Sequence, residues 1–122
     1  MIAYTTIGVA DMEKAKAFYL ELLSDLGASI FMDLDRLAVI ASPAGGGMLA
    51  VCIPYNEEPA SPGNGNMVAI TPGSRELVDK LHAKALQMGG TDEGEPGQRM
   101  DGFYGAYFRD PDGNKVCFAD FS

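Results

Sequence analysis

One histidine, two cysteines and nine basic residues are all of those types in this 122-residue chain, and each scarcity removes a class of chemistry. A lone His82 cannot supply the imidazole cluster of a conventional transition-metal site. Cys52 and Cys117 allow at most one disulfide, which a chain of this length does not need, so both are read as reduced thiols. Nine Lys and Arg against seventeen Asp and Glu leave a formal charge of −8, which argues against nucleic acid or an anionic membrane as partner. The acids are dispersed rather than gathered in a tail. No run approaches the ~18 apolar residues of a membrane helix. The opening MIAYTTIGVADMEK has neither a basic start nor a separate apolar block, so it reads as cytoplasmic rather than exported.

What is present is a 47% hydrophobic content, enough for one domain with a core, and fifteen glycines and seven prolines, which imply many turns. MIAYTTIGV is β-branched and reads as a strand, after which Asp11 caps a helix from Met12 to about Leu26. Met12, Ala15, Phe18, Tyr19, Leu22, Leu23 and Leu26 give that helix one apolar face, and Gly27 ends it. Three β stretches follow: ASIFMDL, RLAVIAS and MLAVCI. PYNEEPASPGNGN (residues 54–66) is dense in turn formers and is the longest break. Beyond it, NMVAIT reads as a strand and Ser74 caps a second helix to about Met88, closed by Gly89-Gly90. A polar stretch then precedes GFYGAYFRD and NKVCFADF, which a DPDG turn joins.

The order strand, helix, three strands thus occurs twice, with Tyr4 corresponding to Asn66 at an offset of about 62 (66 less 4). The expected boundaries are module one at about 1–55, a linker at about 56–65 and module two at about 66–122, within a single domain spanning 1–122. Each module alone is too small to bury its sheet, so the two pack together or exchange with a second chain.

Three segments, TIGVADMEKAKAFYLELL, LVDKLHAKALQMGG and YFRDPDGNKVCF, resemble the first strand and helix, the second helix and the final hairpin of the vicinal-oxygen-chelate superfamily. That superfamily contains glyoxalase I, bleomycin-resistance proteins and extradiol dioxygenases. The stretch from Gly89 to Asn114 further resembles a glyoxalase-like subgroup of small bacterial proteins. The resemblance implies an α+β fold of two βαβββ modules whose curved mixed sheets enclose a cavity, usually in a homodimer. It also implies metal ligands on the first and last strands of each module, which fall here on Tyr4, Cys52, Asn66 and Cys117. The family's usual His, Glu or Gln stands at none of them.

A neutral phenol and an amide oxygen are weak ligands, and two thiols without a CxxC spacing fall short of a closed site. No cofactor is therefore expected, and a divalent metal is disfavoured. His82 is placed at the flank of the second helix's apolar face, where a surface residue is commoner than a ligand. Cys117 is the candidate nucleophile, with Lys115 two residues before it on the same strand face; a small buried hydrophobe is the commoner reading of such a cysteine.

Alternation puts Tyr4, Thr6, Met48, Ala50, Cys52, Asn66, Val68, Cys117 and Ala119 on the cavity side. Ile7, Val9, Leu49, Val51, Val116 and Phe118 then pack under the helices. Arg99 can clamp a carboxylate or phosphate at the mouth, although a solvated loop arginine is commoner. Of Tyr104 and Tyr107, three apart on a strand, only one faces inward; Tyr104 joins the ligand-binding set of Tyr4, Thr6, Cys52, Asn66, Arg99 and Cys117.

Three classes remain. The leading one is a glyoxalase-like protein that binds a small organic molecule, with or without transforming it, and lacks the family's metal. The others are a metal-dependent lyase or dioxygenase with atypical ligands, and a sequestering protein of the bleomycin-resistance type. Two filled sheets with no ligand cavity are the competing structural reading.

Overall fold

The computed structural model describes all 122 residues, which divide into two compact units, Met1–Pro62 and Gly63–Ser122. The first unit runs β1 (Tyr4–Gly8), α1 (Met12–Leu22), a 3₁₀ turn (Leu23–Leu26), β2 (Ser29–Asp33), β3 (Leu37–Ala41) and β4 (Met48–Cys52). The second runs β5 (Val68–Ile70), α2 (Arg75–Gln87), β6 (Thr91–Met100), β7 (Phe103–Arg109) and β8 (Lys115–Asp120). Each unit is one four-stranded mixed sheet, ordered β1-β4-β3-β2 and β5-β8-β7-β6. The only parallel pairs are β1 with β4 and β5 with β8. The α+β fold with the βαβββ order twice is as the sequence indicates, and neither sheet closes into a barrel.

Both helices start where the caps predict. Asp11 accepts the Lys14 amide at 3.0 Å and Ser74 accepts the Leu77 amide at 3.2 Å, each satisfying an amide that has no partner within the helix. The first helix stops at Leu22 rather than Leu26, because its last turn tightens to 3₁₀ before Gly27 takes the left-handed φ of 70°.

In the first unit, Ile7, Leu49, Val51, Ala38 and Ile40 share one face by register and are buried, as are Ala15, Phe18, Tyr19 and Leu22 on α1, which packs on β3 and β4. In the second, Phe108 and Phe118 stack at 5.6 Å on the face that meets Val78, Leu81 and Ala85 of α2. These fully buried aromatics and aliphatics carry most of the hydrophobic stabilisation, at roughly 1.5–3 kcal/mol for each fully buried large side chain.

The polar stretch after α2 is a strand. Its ten residues carry few apolar side chains, and its ladder with β7 shifts register three times, as an edge strand tolerates. The repeat offset also differs from the expected one. The helix caps Asp11 and Ser74 lie 63 apart (74 less 11), so Tyr4 corresponds to Met67 and not to Asn66.

Candidate functional site

Each sheet has a face turned away from its helix, and those faces hold the candidate residues. In the first unit, β1 and β4 pair Tyr4 with Met48, Thr6 with Ala50 and Gly8 with Cys52. Residues paired across strands point to the same side, so Tyr4, Thr6 and Cys52 do share one face. Tyr4 and Thr6 are exposed, while Cys52 is half-buried. The reason lies next to it: a Cβ on Gly8 would stand 2.9 Å from the Ala60 methyl, so the returning linker covers the Cys52 end of the face and only glycine fits beneath it.

In the second unit, β8 pairs Cys117 with Ala69 on one side and Tyr107 on the other. Tyr107, Cys117, Lys115 and Arg109 thus form the helix-free face, with Met67 in line with Ala69 before β5 begins. Asn66 is not on it. It lies exposed in the turn before β5, its amide nitrogen 2.5 Å from where a Cβ on Gly63 would stand. The one-residue difference in offset is the cause, since a slip of one residue turns a strand's whole pattern over.

Tyr104 is not on that face either. Its hydroxyl donates to Asp79 Oδ1 of α2 at 2.6 Å and Arg75 stands 5.0 Å over its ring, so it belongs to the helix side. The Asp79 hydrogen bond, with burial second, pushes its phenol pKa up. Tyr107 takes the place expected of Tyr104. The sequence held the signal: counting equally outward from the Asp110–Asn114 turn pairs Tyr107 with Cys117.

Arg99 and Lys115 both approach the Tyr107 ring, at 5.3 and 5.4 Å from its centroid. Lys115 therefore does not run free into solvent as a lysine at a strand start commonly does. Arg99 Nη2 also donates to the Glu95 carbonyl at 2.5 Å. Arg109 Nε donates to Glu93 Oε1 at 2.6 Å, and this bond holds the Glu93 carboxyl below the usual range.

Cys117 is fully buried, and burial pushes its thiol pKa up. The Ala106 backbone hydrogen bond, the charges of Arg99 and Lys115, and the Tyr107 side chain pull the other way without overcoming it. A thiol held protonated is a weak nucleophile. Cys52 and Cys117 are also not equivalent. At the 63-residue offset Thr6 matches Ala69, so the partner of Cys117 in the repeat is Ala50.

His82 is buried rather than on the helix surface. Its Nε2 contacts Asp92 Oδ1 and the Tyr107 carbonyl, each at 3.1 Å. A backbone carbonyl can only accept, so Nε2 carries the hydrogen and Asp92 Oδ1, which also takes the Gly94 amide, accepts from it as well. The ring pins α2 to β6 and β7.

The positions that the resemblance assigns to metal hold a phenol, a half-buried thiol, a thioether or exposed amide, and a protonated buried thiol. That donor set does not fit the divalent transition metals of such sites, which favour neutral imidazole and carboxylate. No three His, Cys, Asp or Glu side chains gather where they could hold one.

The model of the Glyoxalase/Bleomycin resistance protein/Dioxygenase superfamily matches residues 1–118. The chain belongs to that superfamily. A glyoxalase/bleomycin resistance protein from Albidiferax ferrireducens T118 is 39% identical, with a TM-score of 0.87 over 98% of this chain and 97% of its own. A superfamily enzyme from Burkholderia phytofirmans PsJN is 18% identical, with a TM-score of 0.79 over 98% of each chain. Lactoylglutathione lyase from Agrobacterium tumefaciens is 22% identical, with a TM-score of 0.71 over 98% and 92%. The last two share the fold alone. No curated protein sequence matches. No helix of this superfamily member is long and apolar enough to cross a membrane.

Proposed function

We propose that this superfamily member binds a small, partly apolar organic molecule on its helix-free sheet faces, without the divalent metal of the lyases and dioxygenases. The observation that carries the reading is the composition of those faces. They offer the phenols of Tyr4 and Tyr107, the Thr6 hydroxyl and the cations of Arg99, Arg109 and Lys115 beside Met48 and Met67, a mixture that orients an apolar body by a few polar contacts.

Binding without turnover, as in a sequestering protein, is favoured over catalysis. The one histidine is spent between α2 and the sheet, and the Cys117 thiol is pushed toward its protonated form. The lactoylglutathione lyase likeness supports a shared scaffold and not a shared reaction. Two unpaired thiols suit the cytoplasm. A homodimer is the assembly this reading expects. Its support is the apolar exposure of Phe31, Met32 and Leu34 along and beside the edge strand β2.

The test is a thermal-shift screen of neutral and charged small molecules, each hit followed for turnover. A ligand at about 100 times its Kd adds about 2.7 kcal/mol and raises Tm by about 10 °C for a chain this long. A set of related hits whose shifts follow mass action, with the compounds recovered unchanged, is the expected result. Chemical conversion of a hit would return the protein to the enzymes, and the absence of any hit would remove the ligand-binding reading.

A further inference from the structure

We propose that the helix-free face of β6, β7 and β8 takes the anionic group, a carboxylate or a phosphate, of a small organic molecule, held by Arg99 and Lys115 beside the Tyr107 ring. This rests on the ligand-binding reading and narrows it to one chemical class.

The first observation is that room has been made for the Arg99 head. A Cβ on Gly97 would stand 2.9 Å from Arg99 Nη1, and one on Gly94 would stand 3.3 Å from Nη2 and 2.8 Å from Tyr107 Cδ2. Neither glycine has a positive φ, so the backbone does not require glycine at either position. The space does. The GEPG stretch therefore forms a cradle that seats a guanidinium against an aromatic ring, with one hydrogen bond to the Glu95 carbonyl fixing its plane.

The second observation is what the two cations lack. In a chain of charge −8, neither Arg99 nor Lys115 forms an ion pair. The nearby acids are committed elsewhere: Glu93 to Arg109 at 2.6 Å, and Asp92 to His82 at 3.1 Å and the Gly94 amide at 2.9 Å. Lys115 acts on Glu93 through its charge without pairing with it. Two cations gathered at one ring repel each other, and an anion placed between them turns that repulsion into attraction. The parts are complementary in kind. A guanidinium fork suits a planar carboxylate or a phosphate, an ammonium adds a point charge, and the exposed part of the ring receives the ligand's apolar body.

The test is isothermal titration calorimetry of the full chain at constant ionic strength with phenyl phosphate, benzoate and neutral benzyl alcohol. Saturable binding of at least one anion, tighter than the alcohol, is expected, and the tighter anion names the group. Arg99→Gln and Lys115→Gln should each weaken it at least about tenfold, equivalent to about 1.4 kcal/mol. Arg36→Gln, which alters an exposed arginine in the other unit, should leave it unchanged. Anion binding that survives both substitutions, or its absence in the wild type, overturns the proposal. Benzyl alcohol or other neutral compounds binding where the anions do not would overturn the anionic class alone and leave the ligand-binding reading standing. Failure of every compound, the neutral library included, would remove both.

Discussion

Replacing Asp110 with alanine should cost this protein a large part of its stability, and the size of the loss follows from three hydrogen bonds. Asp110 is 4% exposed. Its Oδ1 accepts the amides of Asp112 and Asn114, both at 2.9 Å, and its Oδ2 accepts the Asn114 side-chain amide at 3.1 Å. Asn114 is itself buried, so two of these three donors lose the Asp110 oxygen where water does not replace it. An unmet buried donor costs about 1–3 kcal/mol, which puts the loss at about 3–5 kcal/mol once hydration of the more accessible Asp112 amide is allowed for. With an unfolding entropy of about 2.1 cal/mol/K per residue, that loss lowers Tm by about 12–20 °C. Equilibrium urea unfolding followed by circular dichroism reads it directly. Asp110→Asn keeps one acceptor oxygen and should lose less than half as much. A loss below about 1 kcal/mol for Asp110→Ala would refute the assignment of this carboxylate as the organiser of the turn. The consequence reaches the site, because this turn sets the register that puts Tyr107 beside Cys117 and Arg109 beside Lys115.

Gly97→Ala should leave stability within about 1 kcal/mol, since the atom it meets ends a flexible side chain; anion affinity should nevertheless fall in titration calorimetry, and unchanged affinity would contradict the cradle. Native Cys117 should react with iodoacetamide far more slowly than Cys52 near neutral pH, the two becoming equal in urea, as peptide mass mapping will show. The Cys117 pKa is raised on folding, so its contribution to stability is complete below the unfolded value of about 8.5 and declines as pH rises beyond it. Cys117→Ala should lessen the decline between about pH 8.5 and 10 in urea unfolding, below the range where the raised Tyr104 phenol adds its own, and an unchanged decline there would refute the assignment. His82→Leu leaves Asp92 Oδ1 and the Tyr107 carbonyl without this donor and should cost about 1–2 kcal/mol by the same assay; a neutral result would show that the ring does not pin α2.

Much of the fold was legible because local chemistry dictated it. Asp11 and Ser74 announce helices by satisfying amides that each first turn leaves open, and the strands MLAVC and KVCFAD announce themselves by β-branched or apolar alternation. The strand Thr91–Met100 was not legible as one, because an edge strand needs no apolar pattern and its glycines serve the space around Arg99. On the helix-free faces, Tyr4, Thr6 and Cys52 followed from period-two alternation within correctly placed strands. Asn66 and Tyr104 did not. An offset of 62 where the helix caps stand 63 apart turned the β5 pattern over, and the side Tyr104 takes follows from the hairpin register set by the Asp110–Asn114 turn rather than from its spacing to Tyr107. His82 was misplaced for a related reason, since its acceptors Asp92 and Tyr107 come from strands ten or more residues away. Tertiary hydrogen bonds of this kind leave no periodicity in a sequence.

Whether this site works without a metal is read by elemental analysis of the purified protein before and after incubation with Ni, Zn, Mn and Fe(II), followed by desalting. Far less than one metal ion per chain, with no change in Tm on adding any of the four, is the expected result. Retention of one metal near one ion per chain, lost on chelation together with stability, would contradict it and return this superfamily member to the metal-dependent lyases and dioxygenases.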